Sequence, residues 1–333
     1  MQLEEALGNR PLLKGSPEEI KKQYSGLMTF LAANRPPPDP YVSANDMTIA
    51  GVKCRVYTPG SPATPRPVGI YTHGGGFVCG DLDSEDALCR VISKAVDCIL
   101  VSVDYRLGPE HKLPAMLQDT LAVYQWVWEN ASQLGGNPAA FFSIGGSAGA
   151  GLALAVANHY AQRADGRKYI KGVVALVPLA LHWDNVPAEY KGDYTSYDDN
   201  ADNVPVIDKS TMESFYRKSS PKSRIQPPIQ QLILISEAVA ADPNDSNIFT
   251  ALSPHLPNFP PTYICTCGAD PLRDDGTIME KALRKSGVPT KLSTYPNLPH
   301  YFWIFPDLEA SGGFINDVIS GTNWVISQFP TLN

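Results

Sequence analysis

Four short, nearly continuous apolar runs, Val68–Thr72, Cys98–Val103, Phe141–Ile144 and Val173–Val177, constrain this chain most. Between them lie three segments of helical periodicity, Glu85–Val96, Leu113–Trp128 and Ala148–Tyr160. A strand that is apolar on both sides must be covered on both sides, and strand–helix alternation sets successive strands parallel. The pattern predicts an α/β fold with a mostly parallel sheet flanked by helices. Residues 180–250 interrupt it with aromatic and charged residues and no clear strand. It resumes with the run Pro261–Cys267, a helix over Thr277–Lys285, a strand near Lys291–Tyr295 and a C-terminal helix from about Phe314 to Gln328. No internal repeat is found. Ahead of the alternation, residues 17–34 read as an amphipathic helix capped by Ser16, with Pro17 in its first turn and Pro36–Pro40 ending it. Asp46–Tyr57 reads as two short strands around Ala50-Gly51.

Composition narrows the function classes. The net charge of −7 and the lack of a basic block argue against nucleic-acid binding through phosphate neutralisation. No run approaches the ~18 apolar residues of a membrane span. The acidic start Met1–Glu5, with no apolar run after it, argues against a secretory signal, so a cytoplasmic setting is expected. The six cysteines lack paired metal-ligand spacing and are expected as buried free thiols, with Cys265 and Cys267 on one strand face. Neither metal nor cofactor is expected. Thirty prolines in 333 residues, about 9% against a usual share near 5%, cluster in loops at strand ends rather than in a tail. Such loops are where an α/β sheet keeps its site.

The chemistry-bearing residues sit on these strand ends. Gly145-Gly146-Ser147-Ala148-Gly149 is a G-x-S-x-G between an expected strand and an expected helix. That context suits a sharp turn that lifts the serine oxygen above the sheet. His73-Gly74-Gly75-Gly76-Phe77 follows the Val68–Thr72 run, and successive glycines let backbone N–H groups approach an anionic oxygen. No phosphate-loop motif fits there. A triad of this chain order needs an acid and then a histidine after the serine. Of six histidines, His300 alone follows a late strand–loop step. Asp270 directly follows the Pro261–Cys267 run, with Asp274 and Asp275 as rivals that have the option of capping the next helix.

Together these motifs resemble the hormone-sensitive-lipase-like branch of the α/β-hydrolases. The likeness runs from about residue 68 to the C-terminus and also includes Asp104–Glu110 with Pro114-Ala115 and Asp270–Gly276. Within the branch the chain looks most like fungal esterases of secondary-metabolite pathways, of the versiconal hemiacetal acetate esterase type. The resemblance implies an α/β-hydrolase fold with a helical cap, built from residues 1–45 and the insertion 181–250. The catalytic core is then 46–180 and 251–333. It implies Ser147 as nucleophile, His300 as base, Asp270 as orienting acid, and the amides of Gly75, Gly76 and Ala148 as oxyanion donors. Substrate contacts are expected from Phe77, Gly146, Trp183, Phe215, Tyr301 and Trp303. Three positions depart from the family pattern. Gly146 stands where Asp or Thr is usual, Tyr301 where Gly is usual, and Gly108 where Ala is usual.

The function so implied is hydrolysis of short- to medium-chain acyl esters, of small molecules and of secondary metabolites among them, by a monomer or homodimer. A thioesterase, acyltransferase or cyclase acting on a polyketide-like intermediate would use the same site. A non-catalytic ligand-binding protein, as among the plant gibberellin receptors, is the third reading, and the intact Ser147, Asp270 and His300 weigh against it.

Overall fold

The computed structural model describes residues 11–33, 35–60, 65–202, 204–216 and 239–329. Residues 1–10 of the N-terminal segment and 217–238 of the insertion therefore lie outside the described residues. Eight strands form a single sheet in the order β1-β2-β4-β3-β5-β6-β7-β8. They are β1 (Val42–Ile49), β2 (Val52–Pro59), β3 (Arg66–Thr72), β4 (Ile99–Val103), β5 (Gly136–Gly146), β6 (Gly172–Leu176), β7 (Thr262–Ala269) and β8 (Thr290–Pro299). β1 pairs antiparallel with β2, and β2 antiparallel with β4; every later pairing is parallel. The first hairpin turns through Ala50 at φ 49° and Gly51 at φ 83°. Two positive φ values in a two-residue loop suit the twist of the flanking strands.

The apolar runs are two-sided, and each side has its own core. Phe141 faces one cluster with Val68, Ile70, Val101 and Ile264, while its neighbour Phe142 faces the other with Leu100, Val174 and Tyr263. Helices α3 (Ala115–Glu129), α4 (Ala148–Ala161) and α7 (Arg273–Lys285) cover the first face. Helices α2 (Asp86–Val96) and α8 (Glu309–Ser327) cover the second. Cys265 and Cys267 share that second face, as their spacing predicts.

The strands extend beyond their apolar signals. β5 begins at Gly136, because the polar Gly-Asn-Pro start still pairs with Arg66 through a shift in register. β1 begins at Val42, before the expected boundary at 46. Helix α7 starts at Arg273 rather than Thr277. Gly276 weakens the helical signal there, yet a side chain at that position would meet Thr266 and Pro178, so the helix packs closely on the sheet.

Helix α1 (Pro17–Ala33) opens with a reciprocal cap: the Glu19 N–H donates to Ser16 Oγ at 3.3 Å, and the Ser16 N–H donates to Glu19 Oε2 at 2.7 Å. Its leading segment joins the insertion between β6 and β7. The Leu13 N–H donates to the Val206 carbonyl at 3.1 Å, and Lys14 pairs with Asp208 at 3.1 Å, just before α6 (Lys209–Tyr216). Two carboxylates in the first turn of α7 tie the insertion down. Asp274 Oδ2 accepts the N–H groups of Thr195 and Ser196, both at 2.7 Å, at the start of α5 (Ser196–Asp199). Asp275 accepts from the Ala180 and Leu181 amides at 3.0 and 2.9 Å and from the Tyr194 hydroxyl at 2.9 Å. Among the described residues no helix is long and apolar enough to cross a membrane.

Asp275 is fully buried, and that burial pushes its carboxyl up to about 7 against the pull of its three donors. Between the ordinary aspartate range and 7 the folded chain keeps a proton that the unfolded chain has released. Stability from this site is therefore greatest at low pH and declines as pH rises through that window. The melting temperature of Asp275→Asn minus that of the wild type is expected to rise from pH 5 to pH 8 in thermal unfolding. The opposite slope would refute this assignment.

Candidate active site

Ser147 stands at the tip of a turn between β5 and α4, with φ 56° and ψ −121°. A non-glycine residue is rarely found there, and holding it costs on the order of 1–3 kcal/mol. The turn is over-determined. The Ser147 N–H donates to the Leu176 carbonyl at 2.8 Å, and its own carbonyl accepts from Gly151 at 3.0 Å and Leu179 at 3.3 Å. Thr72 Oγ1 donates to the Gly149 carbonyl at 2.7 Å, locking α4 to the end of β3. Gly149 has to be glycine, because a Cβ there would run into the carbonyls of Thr72 and His73.

Parallel pairing brings the carboxyl ends of β3, β5, β7 and β8 to one edge. His300, one residue beyond β8, places Nε2 at 2.9 Å from Ser147 Oγ. Its Nδ1 lies 2.7 Å from Oδ2 of Asp270, one residue beyond β7. The other Asp270 oxygen accepts the Leu272 N–H at 2.8 Å, and the residue is wholly buried. Ser147 and His300 are 6% and 3% exposed, so both side chains are largely withdrawn from solvent. The rival acids Asp274 and Asp275 point instead to the insertion, as their donors show.

The glycine loop closes the other side. Gly75 adopts φ 110° and Gly76 φ 64°, and the Gly75 carbonyl accepts from Val78 and Cys79 at 3.0 and 2.8 Å. This tight turn hangs on His73, which stacks on Tyr105 at 4.2 Å while Tyr105 donates its hydroxyl proton to the His73 carbonyl at 2.7 Å. Burial lowers the His73 pKa, so the ring is neutral and donates from Nδ1 to the Gly74 carbonyl at 2.8 Å. Ala148 is the first residue of α4, where the amide has no helical partner.

These elements enclose a cavity of about 600 Å³, its open mouth included. Ser147, His300, Gly75, Gly76, Phe215 and Tyr301 line it. So do residues that the motifs do not mark: Tyr24, Leu27 and Met28 of α1, Met212 of α6, and Ser84 and Glu85 ahead of α2. The i, i+3, i+4 spacing of the three α1 residues is their only sequence signal. Gly146 lies behind Tyr301, whose hydroxyl fills the space that a side chain there would take. Three expected substrate contacts lie elsewhere. Phe77, 1% exposed, is packed in the core behind the loop. Trp183 stacks on His182 at 4.1 Å, and Trp303 lies parallel to Phe314 at 3.9 Å. Their large apolar areas go into holding the walls.

The model of the α/β-hydrolase fold family matches residues 69–304. The chain belongs to the hormone-sensitive-lipase-like α/β-hydrolases. This hydrolase is 41% identical over 322 residues to a versiconal hemiacetal acetate esterase of Dothistroma septosporum, spanning 96% of this chain and 92% of the relative. An esterase of Pyrobaculum calidifontis superposes with a TM-score of 0.76 at 25% identity, over 93% of this chain and 94% of that one. A vibralactone cyclase superposes with a TM-score of 0.78 at 27% identity, covering 96% and 91%. The hydrolase is an enzyme acting on ester bonds, which sets aside the non-catalytic reading. Adding one methyl group at the turn tests how tightly it is built. Gly149→Ala is expected to lose about 1–3 kcal/mol of stability by overpacking against rigid backbone, measured by denaturant unfolding. An unchanged midpoint would show that the helix start can shift.

Proposed function

We propose that this hydrolase cleaves short- to medium-chain acyl esters, with Ser147 as nucleophile, His300 as base and Asp270 as orienting acid. The observation that carries the reading is the unbroken hydrogen-bonded line from Asp270 through His300 to Ser147. Ser147 Oγ attacks the ester carbonyl as its proton passes to His300 Nε2. The amides of Gly75, Gly76 and Ala148 hold the resulting oxyanion. Asp270 fixes the Nδ1–H tautomer and stabilises the imidazolium. His300 then protonates the departing alkoxide, and water, deprotonated by His300 in turn, releases the acid and frees Ser147.

The D. septosporum relative's name specifies an acetate ester, which supports an acetyl group on the acyl side and a secondary metabolite on the alcohol side. The segment around Leu13 with α1, together with residues 204–216, acts as the cap that encloses the alcohol part. A second reading has an internal nucleophile resolve the acyl-enzyme, and the cyclase neighbour favours it. Product analysis with and without an added alcohol separates the two.

Ser147→Ala is expected to lower kcat on 4-nitrophenyl acetate by at least about 10³-fold and to abolish labelling by a fluorophosphonate. A variant that still hydrolyses at the wild-type rate would sink the assignment. In a chain-length series, acetyl to hexanoyl esters are expected to outrun palmitoyl; a maximum at sixteen carbons would refute the acyl-size reading.

A further inference from the structure

Two successive acids open α2, and their side chains part. Asp86 pairs with Arg55 at 3.2 Å and with Arg90 at 2.7 Å. Glu85 makes no capping bond to the helix it precedes and is only 5% exposed. Among the described residues it has no cationic partner. A buried carboxylate without a cation persists only where hydrogen bonds and dipoles replace its water. The N-terminal end of α2 is one such dipole.

The donors come from three segments. The Tyr71 hydroxyl of β3 donates to Glu85 at 2.9 Å, and the Gly74 N–H of the glycine loop reaches the other oxygen at 3.5 Å. The Tyr301 hydroxyl, one residue past His300, is the third. Burial, with the Glu85 charge next in effect, holds both phenols well above their usual pKa, so each keeps its proton and donates. A carboxylate is acceptor-only through two oxygens, whereas an amide of the same shape brings one acceptor and an NH2. Three converging donors therefore call for an acid at this position.

The meeting point lies beside the line from Asp270 through His300 to Ser147. A Cβ on Gly146 or on Gly74 would strike the Tyr301 hydroxyl, so the phenol is wedged between the Ser147 turn and the glycine loop. Its residue holds φ 58°, a strained conformation for tyrosine that needs an anchor at the far end of the ring. The same ring packs on His300 at 5.1 Å between centroids.

We propose that Glu85 is a positioning residue for the hydrolysis: through Tyr301 it fixes His300, and through Gly74 the oxyanion amides, relative to Ser147. The role rests on His300 being the base and the glycine amides the oxyanion donors. Glu85 itself touches no reacting atom.

The test is a double-mutant cycle on 4-nitrophenyl acetate with Glu85→Gln, Tyr301→Phe and both together. Each single variant is expected to lose about 10–100-fold in kcat, with KM within about threefold of the wild type, because the chemistry and not the binding is misaligned. The double variant is expected within about threefold of the worse single one, since both remove the same tie. A second readout needs no turnover: the downfield proton resonance of His300 Nδ1–H in its bond to Asp270, identified by its loss in His300→Gln. It is expected to move or broaden in Glu85→Gln and in Tyr301→Phe alike. A kcat within about threefold of the wild type in both single variants, losses that multiply in the double variant, or a resonance that moves in neither would overturn the proposal. Where Glu85→Gln does not fold, Tyr301→Phe carries both readouts. Were Ser147→Ala to keep its rate, the nucleophile assignment would fail alone, and the resonance would still decide whether Glu85 positions His300.

Discussion

Everything at this site depends on a backbone conformation that serine does not adopt by itself. At φ 56° and ψ −121°, Ser147 points its oxygen off the end of β5 instead of into the sheet. The surrounding bonds to Leu176, Gly151 and Leu179 offset the strain, each contributing about 0.5–1.5 kcal/mol. They come from β6, α4 and the loop after β6, so the turn holds only once the parallel sheet has formed. The rare conformation is thus a product of tertiary structure. It also sets the direction in which His300 and Asp270 have to approach, and both arrive from the adjacent strands on one side, β7 and β8.

How the insertion is held follows from the same edge. Asp270, Asp274 and Asp275 lie within six residues, yet they perform two tasks. Asp270 faces His300 through its side chain, while the carbonyl of the same residue accepts from Asn200 of the insertion at 3.3 Å. Asp274 and Asp275 hold Thr195, Ser196, Tyr194 and the Ala180-Leu181 backbone. The acid loop is therefore the joint between the hydrogen-bonded line Asp270–His300–Ser147 and the insertion above it. A change in how the insertion sits would be felt at Asp270 through four residues of chain.

Much of this was legible in the sequence, for physical reasons. Strands buried on both faces must be written as unbroken apolar runs, and β4 and β6 are. The turn at Ser147 needs small neighbours, so Gly145 and Gly149 mark it. His300 and Asp270 were legible because parallel topology leaves few residues at the right strand ends. The cavity wall was not legible in the same way. Phe77, Trp183 and Trp303 are the kind of residue that lines a pocket, but the same bulk suits packing, and packing takes them here. Conversely Glu85 looks like an ordinary first-turn acid in a helix. Only the fold brings its buried carboxylate to Tyr71, Gly74 and the cavity.

Gly146 and Tyr301 illustrate why a departure from a family pattern is best read in pairs. Taken singly, a glycine before Ser147 is a lost side chain, and a tyrosine after His300 is an added bulk. The structure makes them one exchange of volume, since the tyrosine hydroxyl occupies the space that a side chain on Gly146 would need. Tyr301 also takes φ 58°, a left-handed conformation that glycine adopts readily and tyrosine rarely. That cost is borne because the ring is packed against His300 and Trp303, at 5.1 and 4.5 Å between centroids.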